Sequence, residues 1–544
     1  MKSIFLFVFL QITCGGYAAH ATNYYINAAI GNDANKGTSQ TYSWKTIRAL
    51  SSIQLRPGDS VLFASGQQFT GMLALIDIKG SAKSPIVISS YRFKGSTARP
   101  VLDAGLELNA ILIQNASFIS VEGIEITGVV PYQNSFGSKK APMRCGILVE
   151  VTKDEAFENI RLNDMVVHDV YYNAQGFTRS AAETKSANGT QSYGWGIRFI
   201  NNTKIGLLTQ VQVLKTEIYN ASHTGLKFTC RTAGIKEVLI SDCKIHQTGG
   251  PGMQLSGVTN AHIHHNKIDH SGSTADSRNW GRGSGLWTWG CSNILIEHNS
   301  FENANGPGDS AGVHIDYNCS DVVVQYNLSA NNAGGFCEIL GNNYNCAYRY
   351  NISINDGHRV KGKNGAFQEG KTFWLSGFQG DEKMKAGPYN SYFYNNTIYV
   401  SGNIIPKIAV SSSARGVYIA NNIFCFEGAA QMVAGDQKKQ EIDVETVQNV
   451  VFQNNLFLRP DNWPAELSIY DAAPIIGDPG FNNKGGLLLT GYLPTNKNLI
   501  VNKGVTIRPI PNDSIGLRIG LKVDNDILGN PIIGQPDMGA IEIK

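Results

Sequence analysis

The chain has 544 residues, of which 42% are hydrophobic and 16% charged, and its formal net charge is +3. This length is enough to bury a large core. The two signs of charge are mixed along the sequence, without a basic run of the kind that binds nucleic acid and without an acidic tail. We therefore expect no nucleic-acid partner, and we expect a monomer.

The N-terminus has the pattern of a secretory signal peptide. Lys2 supplies a short positive region, residues 4–10 are apolar, and residues 19–21 form an A-x-A cleavage site. We predict a signal peptide at 1–21 and export to the periplasm or cell surface of a Gram-negative bacterium. Cys14 is placed where a lipoprotein cysteine could stand, although QITC is a poor lipobox, so lipid anchoring through Cys14 stays open. No later segment is apolar enough to predict a transmembrane helix.

The cysteines outside this segment do not form a metal-binding pattern. Because no CxxC pair occurs among them, we predict no zinc site and expect most of them to fill the core. No cofactor is predicted, with calcium left as an alternative. These cysteines are Cys145, Cys230, Cys243, Cys291, Cys319, Cys337, Cys346 and Cys425.

A phrase recurs along the second half of the chain, with the pattern small-polar, x, x, apolar, x, x, Asn, x, apolar. It reads GVTNAHIHHNKI at 257–268, GCSNILIEHNSF at 290–301 and NCSDVVVQYNLS at 318–329. A period above about 20 residues is typical of a solenoid, and short strands with alternating β-branched residues indicate coils of β-structure. Stacked asparagine side chains are expected to form a ladder between coils. The ladder residues would be Asn266, Asn299, Asn327, Asn351, Asn396, Asn422 and Asn455.

We therefore predict an all-β, single-domain right-handed parallel β-helix with long loops at its turns, the hand being that of the fold type. It would cover residues 22–544, with an N-terminal cap and first coils at 22–100 and a closing segment at 470–544. The stretches YYINAAIGNDANKGTSQTYSWKTI and DNDILGNPIIGQPDMGAIE resemble the opening and closing segments of secreted bacterial β-helix carbohydrate enzymes.

Two acidic residues are predicted to share one outward site on neighbouring coils. Glycines begin one strand of successive coils, and the second and fourth residues after each glycine should face outward. Counting from Gly312 and Gly334 places Asp316 opposite Glu338, about 4.8 Å apart. Stacked carboxylates destabilise a sheet and raise one pKa. We therefore predict a catalytic pair at the spacing of about 5–5.5 Å that retaining glycosidases use.

The motif GVHID…GGFCE is similar to the paired-strand motif of retaining β-helix glycosidases of the β-xylosidase type. This resemblance implies that Asp316 is the nucleophile and Glu338 the acid/base. The sequence departs from that family at Gly335 and Cys337, where bulkier apolar residues are usual, and at His314, where an aromatic is usual. The reaction class is better supported than the sugar.

Several residues on this face and on adjacent loops are predicted to contact substrate. Outward tryptophans stack on the apolar faces of sugar rings, unless a loop covers them as core. Long insertions at 269–285 and 355–390 are read as pocket walls, which favours action on chain ends. The predicted contacts are His314, Trp287, Trp289, Lys227, Arg282, Asp309, Asn342 and Lys361.

The sequence thus predicts a secreted glycoside hydrolase that degrades a plant or algal glycan by a retaining mechanism. One alternative is a polysaccharide lyase on the same fold, with a Lys or Arg base from HRVKGK at 358–363, acting on a uronate-containing glycan, with calcium bound by the carboxylates. An inverting hydrolase, an epimerase and a non-catalytic glycan-binding surface protein are further alternatives.

Overall fold

A computed structural model describes residues 21–131, 142–173, 194–273, 281–435 and 450–543. Three long parallel sheets, here called A, B and C, wind into one solenoid, which confirms the predicted β-helix. Each coil runs through a strand of sheet C, then sheet A, then sheet B, and each strand pairs with its equivalents in the coils before and after. Cys14 and residues 1–20 of the predicted signal peptide lie outside the described residues.

Sheet A has fourteen strands. They are β1 (Asn23–Ile26), β2 (Ser60–Ala64), β5 (Ile86–Tyr91), β8 (Ile119–Glu122), β11 (Ala156–Asn163), β14 (Leu207–Leu214), β17 (Ile235–Ser241), β20 (Val258–His264), β23 (Ser292–Glu297), β26 (Ser320–Gln325), β29 (Ala347–Arg349), β32 (Tyr389–Tyr394), β35 (Arg415–Ala420) and β38 (Val450–Gln453).

Sheet B also has fourteen strands. They are β3 (Gln68–Thr70), β6 (Val101–Asp103), β9 (Glu125–Pro131), β12 (Val166–Asn173), β15 (Glu217–Ala221), β18 (Lys244–His246), β21 (Lys267–Asp269), β24 (Ser300–Glu302), β27 (Leu328–Ala330), β30 (Ile352–Ile354), β33 (Thr397–Val400), β36 (Ile423–Phe426), β39 (Leu456–Phe457) and β40 (Ile475–Ile476).

Sheet C has twelve strands. They are β4 (Leu73–Ile76), β7 (Asn109–Gln114), β10 (Arg144–Val151), β13 (Gly194–Asn201), β16 (Leu226–Cys230), β19 (Met253–Ser256), β22 (Leu286–Trp289), β25 (Val313–Ile315), β28 (Gly335–Ile339), β31 (Lys371–Leu375), β34 (Lys407–Val410) and β37 (Gln431–Met432).

Helices are few and short in the described parts of the chain. None of them is long and apolar enough to cross a membrane. They are 3-10 helices at Ile47–Ser52, Pro460–Asn462, Ala465–Leu467 and Leu489–Tyr492 and one α-helical turn at Lys497–Ile500.

The alternation of side chains along each strand builds one continuous core inside the coils. In β23, Ile294 and Ile296 point inward and are buried, whereas Leu295 between them is only partly covered. Each such buried isoleucine contributes about 1.5–3 kcal/mol through burial of its side chain. The eight cysteines predicted to fill the core are all buried with free thiols. Cys291 and Cys319 stack in successive coils, with the Cys291 backbone nitrogen 3.5 Å from the Cys319 sulfur, as the alignment of the repeats at 290–301 and 318–329 implies.

The predicted asparagine ladder is present at the turn between sheets A and B. The Nδ2 of Asn266 donates to the Oδ1 of Asn299 at 2.9 Å, and the same contact repeats at 2.9–3.0 Å through to Asn455. Each Oδ1 also accepts the backbone N–H of the preceding ladder residue. The ladder ends on Asp471, whose carboxylate accepts both the backbone and side-chain N–H of Asn455. In the coils from Asn266 to Asn455, the buried amide at this turn is therefore hydrogen-bonded to the next coil.

The segment from 505 to 543 runs back along the outer surfaces of sheets A and B. Its Leu521 carbonyl accepts a hydrogen bond from Tyr394 (2.6 Å), and its Asp513 carboxylate accepts one from Asn345. Apolar residues of the segment, including Ile510 and Leu517, cover a tyrosine-rich surface of sheet A. We call residues 505–543 the C-terminal strap, because it ties several coils together from outside.

Candidate active site

One column of outward side chains crosses sheet C and holds four of the ten predicted site residues. Register between strands places these residues side by side, one per coil, at the strand spacing of about 4.8 Å. The column consists of Arg198, Lys227, Gln254, Trp287, His314, Glu338 and Trp374.

The predicted pairing of Asp316 with Glu338 is wrong by two residues. Ile315 lies opposite Ile339, which places Glu338 beside His314 and leaves Asp316 diagonal to it, two residues further along the same face. The Nε2 atom of His314 lies 3.3 Å from Oε1 of Glu338.

The error has a physical origin in the start of β28. Ala311 pairs with Gly335, so Phe336, and not Gly334, is the counterpart of Gly312. The ring of Phe336 turns into the core and packs against aromatic rings there, so it does not face outward as predicted. Gly335 has φ 151°, and a Cβ on it would meet the Lys371 carbonyl oxygen at 1.9 Å, which explains why glycine stands there.

Asp309 lies in the turn before β25 and is held there as an ionised carboxylate. Arg282 donates two hydrogen bonds to it, Nε to Oδ2 at 3.0 Å and Nη2 to Oδ1 at 2.9 Å. Although burial alone would raise its pKa, the charge and hydrogen bonds of Arg282 hold the pKa of Asp309 below its ordinary value. Its backbone is fixed by Arg359, which donates to its carbonyl at 2.9 Å, and by the Gln368 side chain, which accepts its N–H.

Asp316 has the opposite electrostatic environment. It follows β25 directly, is buried, and accepts a hydrogen bond from the Tyr317 N–H at 2.8 Å. Burial, with a further contribution from the negative charge of Asp309, raises the pKa of Asp316 to about 7. Arg282, Trp287 and the Tyr317 N–H act in the other direction but do not outweigh burial. At neutral pH this carboxyl group is therefore protonated for much of the time.

Glu338 and His314 form a buried pair behind these two carboxyl groups. Burial and the charge of Asp309 raise the pKa of Glu338 well above its ordinary value, although Lys371 partly offsets this. Burial lowers the pKa of His314 to about 4. The contact between them therefore joins a neutral imidazole and a carboxyl group that favours its neutral form.

A cavity of about 410 Å³ opens above this face of sheet C. Seven of the ten predicted site residues line it, namely Lys227, Arg282, Trp287, Trp289, Asp309, His314 and Asp316. Glu338, Asn342 and Lys361 do not. Asn342 instead donates to Asn318 at 2.7 Å in the turn after β28, and Lys361 is exposed on a loop.

Aromatic side chains form the middle of the cavity. Trp289 lies edge-on to Tyr317, with ring centroids 5.9 Å apart, and Tyr317 lies edge-on to Phe378 at 5.7 Å. The indole of Trp287 stacks over His314 at 5.8 Å. Faces of this kind suit the apolar C–H faces of sugar rings.

The two predicted walls differ in what they contribute. In the insertion 269–285, residues 274–280, with Asp276, Arg278 and Trp280, lie outside the described residues, and Arg282 lines the cavity. The insertion 355–390 is not one loop, because it contains strand β31. Only its later part, through Phe378, Gly380 and Asp381, lines the cavity.

The described residues contain no group of three or more His, Cys, Asp and Glu side chains arranged to hold a metal ion. Calcium as a cofactor stays a prediction from the sequence.

Comparisons with known proteins agree with this fold. A family model described as right handed beta helix region matches residues 195–424. This match covers less than half of the chain and agrees with the β-helix fold of the structure. The chain is similar to a lacto-N-biosidase of Bifidobacterium longum subsp. longum, with 24% identity over 629 aligned positions that cover 96% of this chain and 36% of the relative. The β-helix chain thus spans about a third of that curated relative.

Solved structures show the same fold. The crystal structure of a GH136 lacto-N-biosidase from Eubacterium ramulus matches this β-helix with a TM-score of 0.53 and 19% identity in its selenomethionine form, over 76% of this chain and 67% of that one. Its native form gives a TM-score of 0.53 and 18% identity, over 73% of this chain and 67% of that one.

The sequence also contained a site residue that reasoning from it missed. Counting the glycine column back one further coil to Gly196 places Arg198 next to Lys227 on the outward face, and both line the cavity of the β-helix. Tyr317, Phe378 and Asp381 also line it, but they lie in turns, where strand alternation gives no information.

Proposed function

We propose that the protein is a glycoside hydrolase that cleaves an oligosaccharide, with Asp309 and Asp316 as its reacting carboxyl groups. The observation that carries this proposal is that these two groups line one cavity and have their pKa values displaced in opposite directions. Environments that separate the pKa values of two carboxyl groups mark an acid and a base or nucleophile. The homology to a lacto-N-biosidase over almost the whole chain supports the same reaction class.

Asp309 acts as the nucleophile in this proposal. Its ion pair with Arg282 keeps it ionised and also makes it a weak base. A weak base activates water poorly, because general-base catalysis is best when the pKa of the base lies near the working pH. The same carboxylate can still attack or stabilise the positively charged anomeric carbon of the transition state. This difference favours double displacement, with retained configuration, over direct attack by water.

Asp316 acts as the acid/base. With a pKa of about 7 it can donate a proton to the leaving oxygen and then accept one from water at neutral pH. Glu338, assigned as the acid/base from the sequence, does not line the cavity and contacts His314. In this proposal Glu338 and His314 position the reacting groups from below.

Three variants test the assignment. Asp316→Ala should lose about 10²–10⁴-fold on substrates with poor leaving groups but less on activated aryl glycosides, and added azide should restore part of the rate. Asp309→Ala should lose activity on both substrate types. Glu338→Gln should lose the same factor in activity on substrates with poor and with activated leaving groups.

The assignment is overturned if Glu338→Gln, and not Asp316→Ala, shows the leaving-group dependence and azide rescue. The roles assigned from the sequence, with Glu338 as the acid/base and Asp316 as the nucleophile, would then be supported. Product configuration, followed by NMR early in hydrolysis, tests retention separately. An initially inverted product would make Asp309 the base that activates water.

The substrate is proposed to be an oligosaccharide bound by its end, since Arg282, Phe378 and Asp381 wall the cavity. A screen should compare plant and algal oligosaccharides, as predicted from the sequence, with lacto-N-type oligosaccharides, as suggested by the relative's name. Release of product from chain ends alone would support exo action, and early mid-chain cleavage would contradict it.

The lyase alternative has less support from the geometry. In the segment 358–363, Lys361 is exposed and does not line the cavity, and the Arg359 guanidinium donates to the carbonyls of Gly306, Asp309 and Gln368. A product with the ultraviolet absorbance of an unsaturated uronate would nevertheless establish a lyase.

We also propose export through the segment 1–21, with the mature protein a monomer. Cell fractionation and the mass of the mature protein test this directly. A lipid-modified Cys14, lost in Cys14→Ser, would place the protein on a membrane surface, and retention in the cytoplasm would refute export.

A further inference from the structure

The end of the cavity away from the carboxyl groups is basic. Arg198 on β13 lies directly opposite Lys227 on β16, and Arg231 also lines this end. Like charges opposite each other on neighbouring strands are destabilising. Lys227 is only 6% exposed, so water screens its charge little.

Among the described residues, Arg198 and Lys227 form no ion pair with a carboxylate, although the charge of Glu150 acts on Arg198 without direct contact. Arg198 stacks over the Trp195 ring at 4.8 Å and donates to the Met143 sulfur, but its Nε has no hydrogen-bond acceptor there. The side-chain ammonium of Lys227 makes no hydrogen bond or ion pair with any described residue.

Two neutral polar groups beside the cations also lack hydrogen-bond partners among the described residues. The Oε1 of Gln254 and the Oγ1 of Thr229 are buried without a hydrogen-bond partner among the described residues, and both side chains line the cavity. Buried polar atoms normally have partners, so a cluster of such atoms around one end of a cavity indicates a ligand. Two cations in that cluster indicate that the ligand is an anion.

We propose that this basic end binds an anionic group of the glycan, a uronic acid carboxylate or a sulfate ester. Arginine suits either, because its planar fork of N–H donors matches both oxyanions. The proposal rests on the glycosidase function proposed above and adds its substrate class.

The position of the anion along the glycan follows from the register. From β16 to β25 there are three strand spacings of about 4.8 Å, hence about 14 Å between Lys227 and His314. The tryptophans of β22 lie between them. The acidic sugar is therefore a different residue from the one whose anomeric carbon reacts, and a ring stacked on Trp287 or Trp289 connects the two.

Protonation gives this site a measurable signature. Burial, with the charge of Arg198, lowers the pKa of Lys227 to about 7 in the free protein, and the nearby Cys145 acts weakly the other way. The neighbour on the other side, Gln254 on β19, is uncharged. A bound anion would raise the pKa of Lys227, so binding near pH 7.5 should take up protons.

Isothermal titration with monosaccharides tests the proposal on the full protein. The probes are glucuronic acid, galacturonic acid and N-acetylglucosamine 6-sulfate, each against its neutral counterpart. At least one acidic sugar should bind tenfold or more tightly than its counterpart, with proton uptake seen as buffer-dependent heat. Comparing the two uronic acids with the sulfated sugar shows whether the site prefers a carboxylate or a sulfate ester. Equal affinity for acidic and neutral sugars in all three pairs overturns the proposal.

Variants locate the site. Lys227→Gln should lose the tenfold preference, whereas Lys215→Gln, which removes the same charge from an exposed turn, should keep it. If Lys227→Gln fails to fold, Lys227→Arg decides: it should keep the preference and abolish the proton uptake. The proposal is refuted if Lys227→Gln keeps the preference for acidic sugars, or if Lys227→Arg keeps the proton uptake, because the anion would then bind elsewhere.

The two proposals can fail independently. Hydrolysis of neutral aryl glycosides without any preference for acidic sugars would keep the glycosidase and reject the anion site. A preference for acidic sugars that depends on Lys227, without hydrolysis of any glycoside, would keep the anion site and reject the glycosidase.

Discussion

Replacing the proposed acid/base by its neutral isostere should stabilise the protein, and increasingly so as the pH rises. In Asp316→Asn the amide oxygen can still accept the Tyr317 N–H, so the main contact of the side chain is kept. What is lost is the need to ionise a buried carboxyl group. The raised pKa means that the folded state holds a proton which the unfolded state releases, so stability falls as pH rises from the ordinary value of 3.8 towards 7.

The size of the effect follows from the two pKa values. With 1.36 kcal/mol per pKa unit, a folded-state pKa of about 7 against 3.8 costs about 2 kcal/mol at pH 5 and about 4 kcal/mol at pH 7.5. The advantage of Asp316→Asn over the wild type should therefore grow by about 2–3 kcal/mol between these two pH values.

Urea unfolding at pH 5 and 7.5, followed by tryptophan fluorescence and by circular dichroism, measures this difference. Coincidence of the two transitions checks that a single unfolding free energy applies. Asp524→Asn, at a side chain 84% exposed, is the matched control and should show no such growth. An Asp316→Asn advantage that is the same at both pH values would show that this carboxyl group ionises normally, and the acid/base assignment would lose its basis.

Three further predictions concern the ladder, the cavity and the ion pair. Asn351→Ala should lower the free energy of unfolding by about 2–4 kcal/mol, measured by urea titration, because the amide of Asn327 loses its acceptor. Trp289→Ala should raise KM about tenfold or more with a smaller change in kcat, as expected for a stacking contact, and steady-state kinetics would show it. Arg282→Lys should raise the pKa of Asp309, so the acidic limb of the pH profile of kcat/KM should move to higher pH; an unmoved limb would remove Asp309 as the group that must be ionised.

The fold could be predicted from the sequence because its signals repeat. The ladder asparagines recur through seven successive coils and the alternating apolar residues recur throughout, so chance matches are averaged out. The domain boundaries drawn at 22, 100 and 470 stay predictions.

The site could be predicted only in part, because its residues occur once in the chain and do not recur from coil to coil. Strand alternation found the outward face and so found Trp287, His314 and Asp316. It failed at β28, where Gly335 and the inward ring of Phe336 displace the glycine frame by two residues. The ion pair between Arg282 and Asp309 joins two turns 27 residues apart, and no periodic signal in the sequence predicts such a contact.

The C-terminal strap has a consequence for the order in which the coils become stable. Coils up to β23 can stack in chain order before the rest of the chain has folded, since each needs only its predecessor. From β29 to β35, by contrast, the outer tyrosines of sheet A stay uncovered until residues 505–532 arrive. The strands that carry His314 and Glu338 lie at the border between these two groups of coils. A chain truncated before residue 505 should therefore have protease-resistant early coils, protease-sensitive later coils, and an incompletely formed active site.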